Sequence, residues 1–102
     1  MEPTDSKFSE AFATFFAGCV SIYEAHCDRS GFSHRDTFSW RDGTRYVRVF
    51  RSGSAHAFVD KKTGDVLKPA SWKAPAKHAR GNIFDSKNGL GWMGEYGPAY
   101  LR

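Results

Sequence analysis

The side chains able to do acid–base or metal chemistry are few and scattered: Asp60 and Asp65, His56 and His78, and a sulfur–imidazole set of Cys19, His26, Cys27 and His34. Two carboxylates beside one turn could hold a divalent ion for hydrolysis. The intervening run, Asp60-Lys-Lys-Thr-Gly-Asp65, reads more simply as a hairpin turn in which short acidic side chains hydrogen-bond to their own backbone. The Cys/His set matches no standard zinc spacing, and no CxxC is present. There is no GxSxG, HExxH, P-loop or dinucleotide fingerprint. These residues therefore predict no enzyme, no metal and no cofactor.

Binding chemistry is better represented. Lys68-Pro-Ala-Ser-Trp-Lys-Ala-Pro-Ala-Lys-His-Ala-Arg-Gly-Asn82 sets Lys68, Lys73, Lys77 and Arg80 around Trp72, on a backbone stiffened by two prolines. Upstream, Arg45-Tyr-Val-Arg-Val-Phe-Arg51 adds Arg45, Tyr46 and Arg48. Charge is unevenly divided. Residues 1–40 hold three Lys/Arg against six Asp/Glu, and residues 41–102 hold twelve against five. A basic half of this kind favours an anionic partner, nucleic acid first, with an acidic protein as the alternative. The expected contacts are Arg45, Arg48, Lys68, Lys73, Lys77 and Arg80 to phosphates and Tyr46 or Trp72 to bases. A homo-oligomer is compatible with the same composition.

These residues need elements to position them. The length of 102 residues predicts one domain, residues 1–102, whose core relies on nine Phe, four Tyr and three Trp. Phe8, Phe12, Phe15, Phe16, Cys19, Ile22 and Tyr23 recur at helical spacing, and Asp5 or Ser6 can cap the start, which predicts a helix over 6–26. On that helix Cys19 and Cys27 would lie ~12 Å apart, beyond disulfide reach. The span 37–68 then reads as a four-stranded antiparallel meander, punctuated by Asp42-Gly43, Ser52-Gly-Ser54 and Thr63-Gly64. Alternation leaves two settings for its clearest strand. Either Val47 and Val49 face the helix and Tyr46, Arg48 and Phe50 form an aromatic–arginine row on the open face, or the faces are reversed. Residues 69–84 form the basic Pro/Trp segment. In it Pro75 is suited to open a short second helix over 74–80, which would bring Lys73, Lys77 and Arg80 to one side, with Trp72 either in the core or in contact with a ligand. Residues 85–102, rich in glycine and carrying Trp92, Met93, Tyr96 and Tyr100, read as a C-terminal strap that folds back over the domain or orders on a partner. The fold class expected is α+β, a helix packed on an antiparallel sheet.

The phrase Phe58-Val-Asp-Lys-Lys-Thr-Gly-Asp-Val-Leu-Lys-Pro-Ala-Ser-Trp-Lys-Ala-Pro-Ala-Lys-His-Ala-Arg-Gly-Asn-Ile83 resembles a group of small, uncharacterised bacteriophage proteins that share Thr-Gly-Asp, Lys-Pro-Ala, Trp-Lys-x-Pro-Ala-Lys and Arg-Gly-Asn. The likeness covers about the last 60 residues and implies a phage protein acting in the infected bacterial cytoplasm. It implies no activity. No apolar run approaches the ~20 residues of a membrane span, and Met1-Glu-Pro-Thr-Asp-Ser lacks the layout of a secretory signal, so neither membrane nor export is expected.

Overall fold

The computed structural model describes residues 6–31, 36–70, 74–91, 93–94 and 97–98. Helix α1 runs Ser6–Ser30. Phe8, Phe12, Phe15, Cys19, Tyr23 and Cys27, spaced by three or four, are all buried and make its inner stripe. The helix is longer than the 6–26 span expected because Cys27 continues that stripe. It stops where Gly31 takes a φ of +73°. Gly18 lies inside the helix for a packing reason: a Cβ there would come within 2.3 Å of Leu90 Cδ1.

Five strands follow in a meander of order β1-β2-β3-β4-β5, each antiparallel to the next: Phe38–Asp42, Tyr46–Arg51, Ser54–Asp60, Asp65–Pro69 and Pro75–Asn82. The α+β class stands. The four-strand count and the second helix do not, because residues 75–82 are the fifth strand. A seven-residue helix has little stability of its own. The free edge of β4 instead offers a hydrogen-bond ladder, and Pro75, which has no N–H to donate, sits at the first position of an edge strand where that loss is tolerated. Two register shifts accompany the β4–β5 pairing.

The turns obey local chemistry. Gly64 has a φ of +83°, and the Asp60 carboxylate accepts from the Lys62 and Thr63 amides at 2.8 and 3.3 Å. Val47, Val49, Ala57, Val59, Val66 and Ile83 form the sheet side of the core against α1, with Leu90 and Met93 packed on it. This matches the setting with both valines towards the helix. A bulge opposite Val49 and Phe50 breaks the alternation of β3 at His56, which is buried with its ring centroid 5.0 Å from that of Phe38. Past β5, strands β6 (Met93–Gly94) and β7 (Gly97–Pro98) pair with each other. β6 lies along α1, and β7 along β3 and β4, so these parts of the strap fold back onto the domain. Among the described residues, no helix is long and apolar enough to cross a membrane.

Candidate nucleic-acid interface

The sheet face turned away from α1 gathers most of the binding chemistry. Cross-strand register places Arg41 opposite Arg48, Arg48 opposite Phe58, Phe58 opposite Leu67 and Leu67 opposite Ala79, one row across all five strands. The centre of the row is closed. Phe58 is 1% exposed and Leu67 8%, with the Tyr46 ring edge-on to Phe58 at 5.8 Å and the Arg48 guanidinium 5.8 Å from the Phe58 ring centre. Arg45 lies 5.2 Å from the centre of the Tyr46 ring. Tyr46, Arg48 and Phe50 are each half-buried, so the aromatic–arginine row exists but presents edges and partial faces rather than free rings.

The charges on this face are unbalanced. No carboxylate among the described residues pairs with Arg41, Arg48 or Lys77. Like charges directly opposite on neighbouring strands destabilise a sheet.

Of the residues expected at the site, Arg45, Tyr46, Arg48 and Lys77 share this face. Lys77 and Tyr46 line opposite sides of a groove of about 320 Å³ that also includes Arg45, Asp60, Asp65 and Leu67. Two others do not join them. Arg80 is the extra residue at the register shift between Val66 and Leu67, does not line that groove, and its guanidinium donates to the carbonyl of His78. Lys68 follows Leu67 in β4 near the bulged end of β3, and its charge bears on His56. The helix over 74–80 expected to gather the basic side chains on one side is corrected to strand β5. Trp72 and Lys73 lie outside the described residues, as do His34, Trp92, Tyr96 and Tyr100.

Sequence reasoning passed over Arg41. The signal was there: the Asp42-Gly43 turn fixes the β1–β2 register and with it the Arg41–Arg48 pair.

The acidic pair beside the turn is structural at Asp60. Its second oxygen meets Arg45 Nε at 3.4 Å while the first caps the turn amides. Asn82 ties that turn to β5. Its Nδ2 donates to the Thr63 carbonyl at 2.8 Å and to Asp65 Oδ1 at 3.0 Å, and its Oδ1 accepts from the Phe84 amide at 2.8 Å. Asp85 closes the next turn by accepting from the Lys87 and Gly89 amides at 2.9 and 3.0 Å. Those amides, that of Gly89 foremost, hold its carboxyl below the ordinary value. The Thr-Gly-Asp and Arg-Gly-Asn parts of the sequence phrase thus form one lock between β4 and β5. Among the described residues, no three His, Cys, Asp or Glu side chains converge as a metal site. Cys19 and Cys27 are both buried and free, and burial pushes the Cys19 thiol up to about 12.

A second, apolar groove of about 320 Å³ lies between α1 and the first two strands. It is lined by Phe8, Phe12, Phe16 and Val47, with half-exposed Trp40 and with Asp42 at its edge. Comparison with known proteins finds no match among curated proteins or solved structures. A family pattern does match, over residues 12–98, which include β1 to β5 and most of α1. The chain belongs to the DUF7717 family of unknown function.

Proposed function

We propose that this chain is a phage accessory protein that binds single-stranded nucleic acid across the open face of its sheet and performs no catalysis. The observation that carries the reading is the cross-strand pair Arg41–Arg48, unpartnered by any carboxylate among the described residues and flanked by Tyr46 and Phe50. Cations track a phosphate backbone, and adjacent rings give unstacked bases a surface on which to lie. The excess of Lys and Arg beyond residue 40 adds long-range attraction for the same ligand. The sequence resemblance supports a phage origin and action in the host bacterial cytoplasm.

The test is a salt titration of binding to a labelled thymidine oligomer, read by fluorescence anisotropy. Each phosphate contact on a single strand contributes about 0.7 to the slope of log K against log salt, so the double substitution Arg41→Gln/Arg48→Gln should flatten it by about 1.4. Tyr46→Leu should weaken binding by about 1–3 kcal/mol while leaving the slope unchanged. Binding by the double variant equal to that of the parent, at every salt concentration, refutes the assignment of this face.

A second reading, a module that binds a host or phage protein without nucleic acid, is favoured by the apolar groove with Trp40 on its rim, since an exposed Trp beside apolar surface marks many protein contacts. An acidic partner would suit the basic sheet face, and a second copy of the chain would suit the apolar groove. Failure to bind any oligomer, together with specific capture of one protein, moves the assignment to this reading.

A further inference from the structure

We infer that the groove between β2 and β5 is a base pocket that selects guanine. The inference rests on the nucleic-acid reading above and specifies what part of the strand it reads.

The groove holds about 320 Å³, at the lower end of the roughly 300–1,000 Å³ range of small-ligand clefts and suited to one nucleotide. Tyr46 stands on one side, Lys77 on the other, and buried Leu67 forms the floor. Arg45 and Lys77 supply positive charge along the walls, where a sugar–phosphate backbone would pass. Two carboxylates also line the groove, and they differ. Asp60 is fully committed: one oxygen caps the turn amides and the other meets Arg45. Asp65 is half committed. Its Oδ1 accepts from Asn82 Nδ2 at 3.0 Å, while Oδ2 has no partner among the described residues. Asn82 thereby fixes the carboxylate of this groove-lining residue and leaves Oδ2 as an acceptor-only oxygen.

An ionised carboxylate accepts hydrogen bonds and donates none. Of the bases, only guanine presents two adjacent donors, N1–H and the N2 amino group, on its Watson–Crick edge. Adenine and cytosine offer one amino group beside an acceptor nitrogen that the carboxylate repels. Thymine and uracil offer one N–H between two carbonyls. A carboxylate held rigidly beside the half-buried Tyr46 ring therefore ranks guanine above cytosine and adenine, and these above thymine or uracil.

The experiment uses four thymidine oligomers that differ only at one central position, set to G, A, C or T, with binding read by anisotropy. The guanine oligomer should bind about fivefold or more tightly than the others, the discrimination expected of one good paired contact. In Asp65→Asn the introduced amide oxygen can still accept from Asn82, so the fold, read by circular dichroism and the urea midpoint, should persist while the guanine preference disappears. Equal binding of all four oligomers by the parent overturns this inference and leaves the nucleic-acid reading standing, and that result needs no variant. A guanine preference that survives in a folded Asp65→Asn protein also overturns it. Absence of binding to every oligomer overturns both.

Discussion

His56 should make the protein acid-sensitive between pH 6.5 and about 4. The imidazole is 4% exposed at the bulge of β3, its ring is packed against Phe38, and its Nε2 has no hydrogen-bond partner among the described residues. Desolvation first, then the positive charges of Arg51 and Lys68, lower its pKa from 6.5 to about 4. Above pH 6.5 the imidazole is neutral in both folded and unfolded chains, so its contribution is fully present. Between that value and about 4 the unfolded chain takes up a proton that the folded chain refuses, and stability falls as pH falls. At 1.36 kcal/mol per pH unit, the loss approaches about 3 kcal/mol at the lower end, a large share of the roughly 5–15 kcal/mol that holds a domain of this kind together. The Asp85 carboxyl is also held low, from an ordinary value of 3.8, but its share is lost only below the window of His56. Urea unfolding followed by tryptophan fluorescence at several pH values between 7 and 4.5 measures the slope directly. A His56→Gln variant, whatever its absolute stability, should lose most of the dependence in this window. A parent whose unfolding free energy is flat from pH 7 to 4.5, or a variant with the same slope as the parent, would refute the argument.

Three further outcomes are expected. Gly64→Val places a branched side chain at a φ of +83° with its Cβ 2.6 Å from Phe84, and should cost more than the about 1–2 kcal/mol of the left-handed backbone alone, seen as a lowered urea midpoint. Phe15→Ala empties the centre of the α1 stripe at a fully buried position and should destabilise by about 3–5 kcal/mol in the same assay. Cys19 and Cys27 should resist Ellman's reagent in the folded protein and react once it is unfolded in urea, because both are buried and the Cys19 thiol is pushed up to about 12. Fast labelling of the native state would show that the α1 stripe is misplaced.

Much of this arrangement was legible along the chain, and the legible parts are those settled between near neighbours. The α1 stripe depends on side chains three and four residues apart, all within one element. The hairpin at Asp60-Lys-Lys-Thr-Gly-Asp65 depends on a glycine that can take positive φ and on an Asp able to bond two and three residues ahead. Alternation in β2 narrows its faces to two settings, and the strap's Met93, an apolar side chain among glycines, packs partly buried against the core.

The remainder depended on partners distant in the sequence. Residues 74–80 have the composition and proline placement of a short helix, and only the unpaired edge of β4 makes Pro75–Asn82 a strand. His56 alternates in sequence as an open-face residue, yet the bulge opposite Val49 and Phe50 carries it into the core. Arg41 acquires meaning only when β2 sets Arg48 against it, and Asp65 only when Asn82, 17 residues away, holds one of its oxygens. Periodicity and turn chemistry are local and so can be read from the amino-acid sequence. Strand pairing is chosen by the edges and faces that remain after the other elements have formed, and only the tertiary structure supplies that choice.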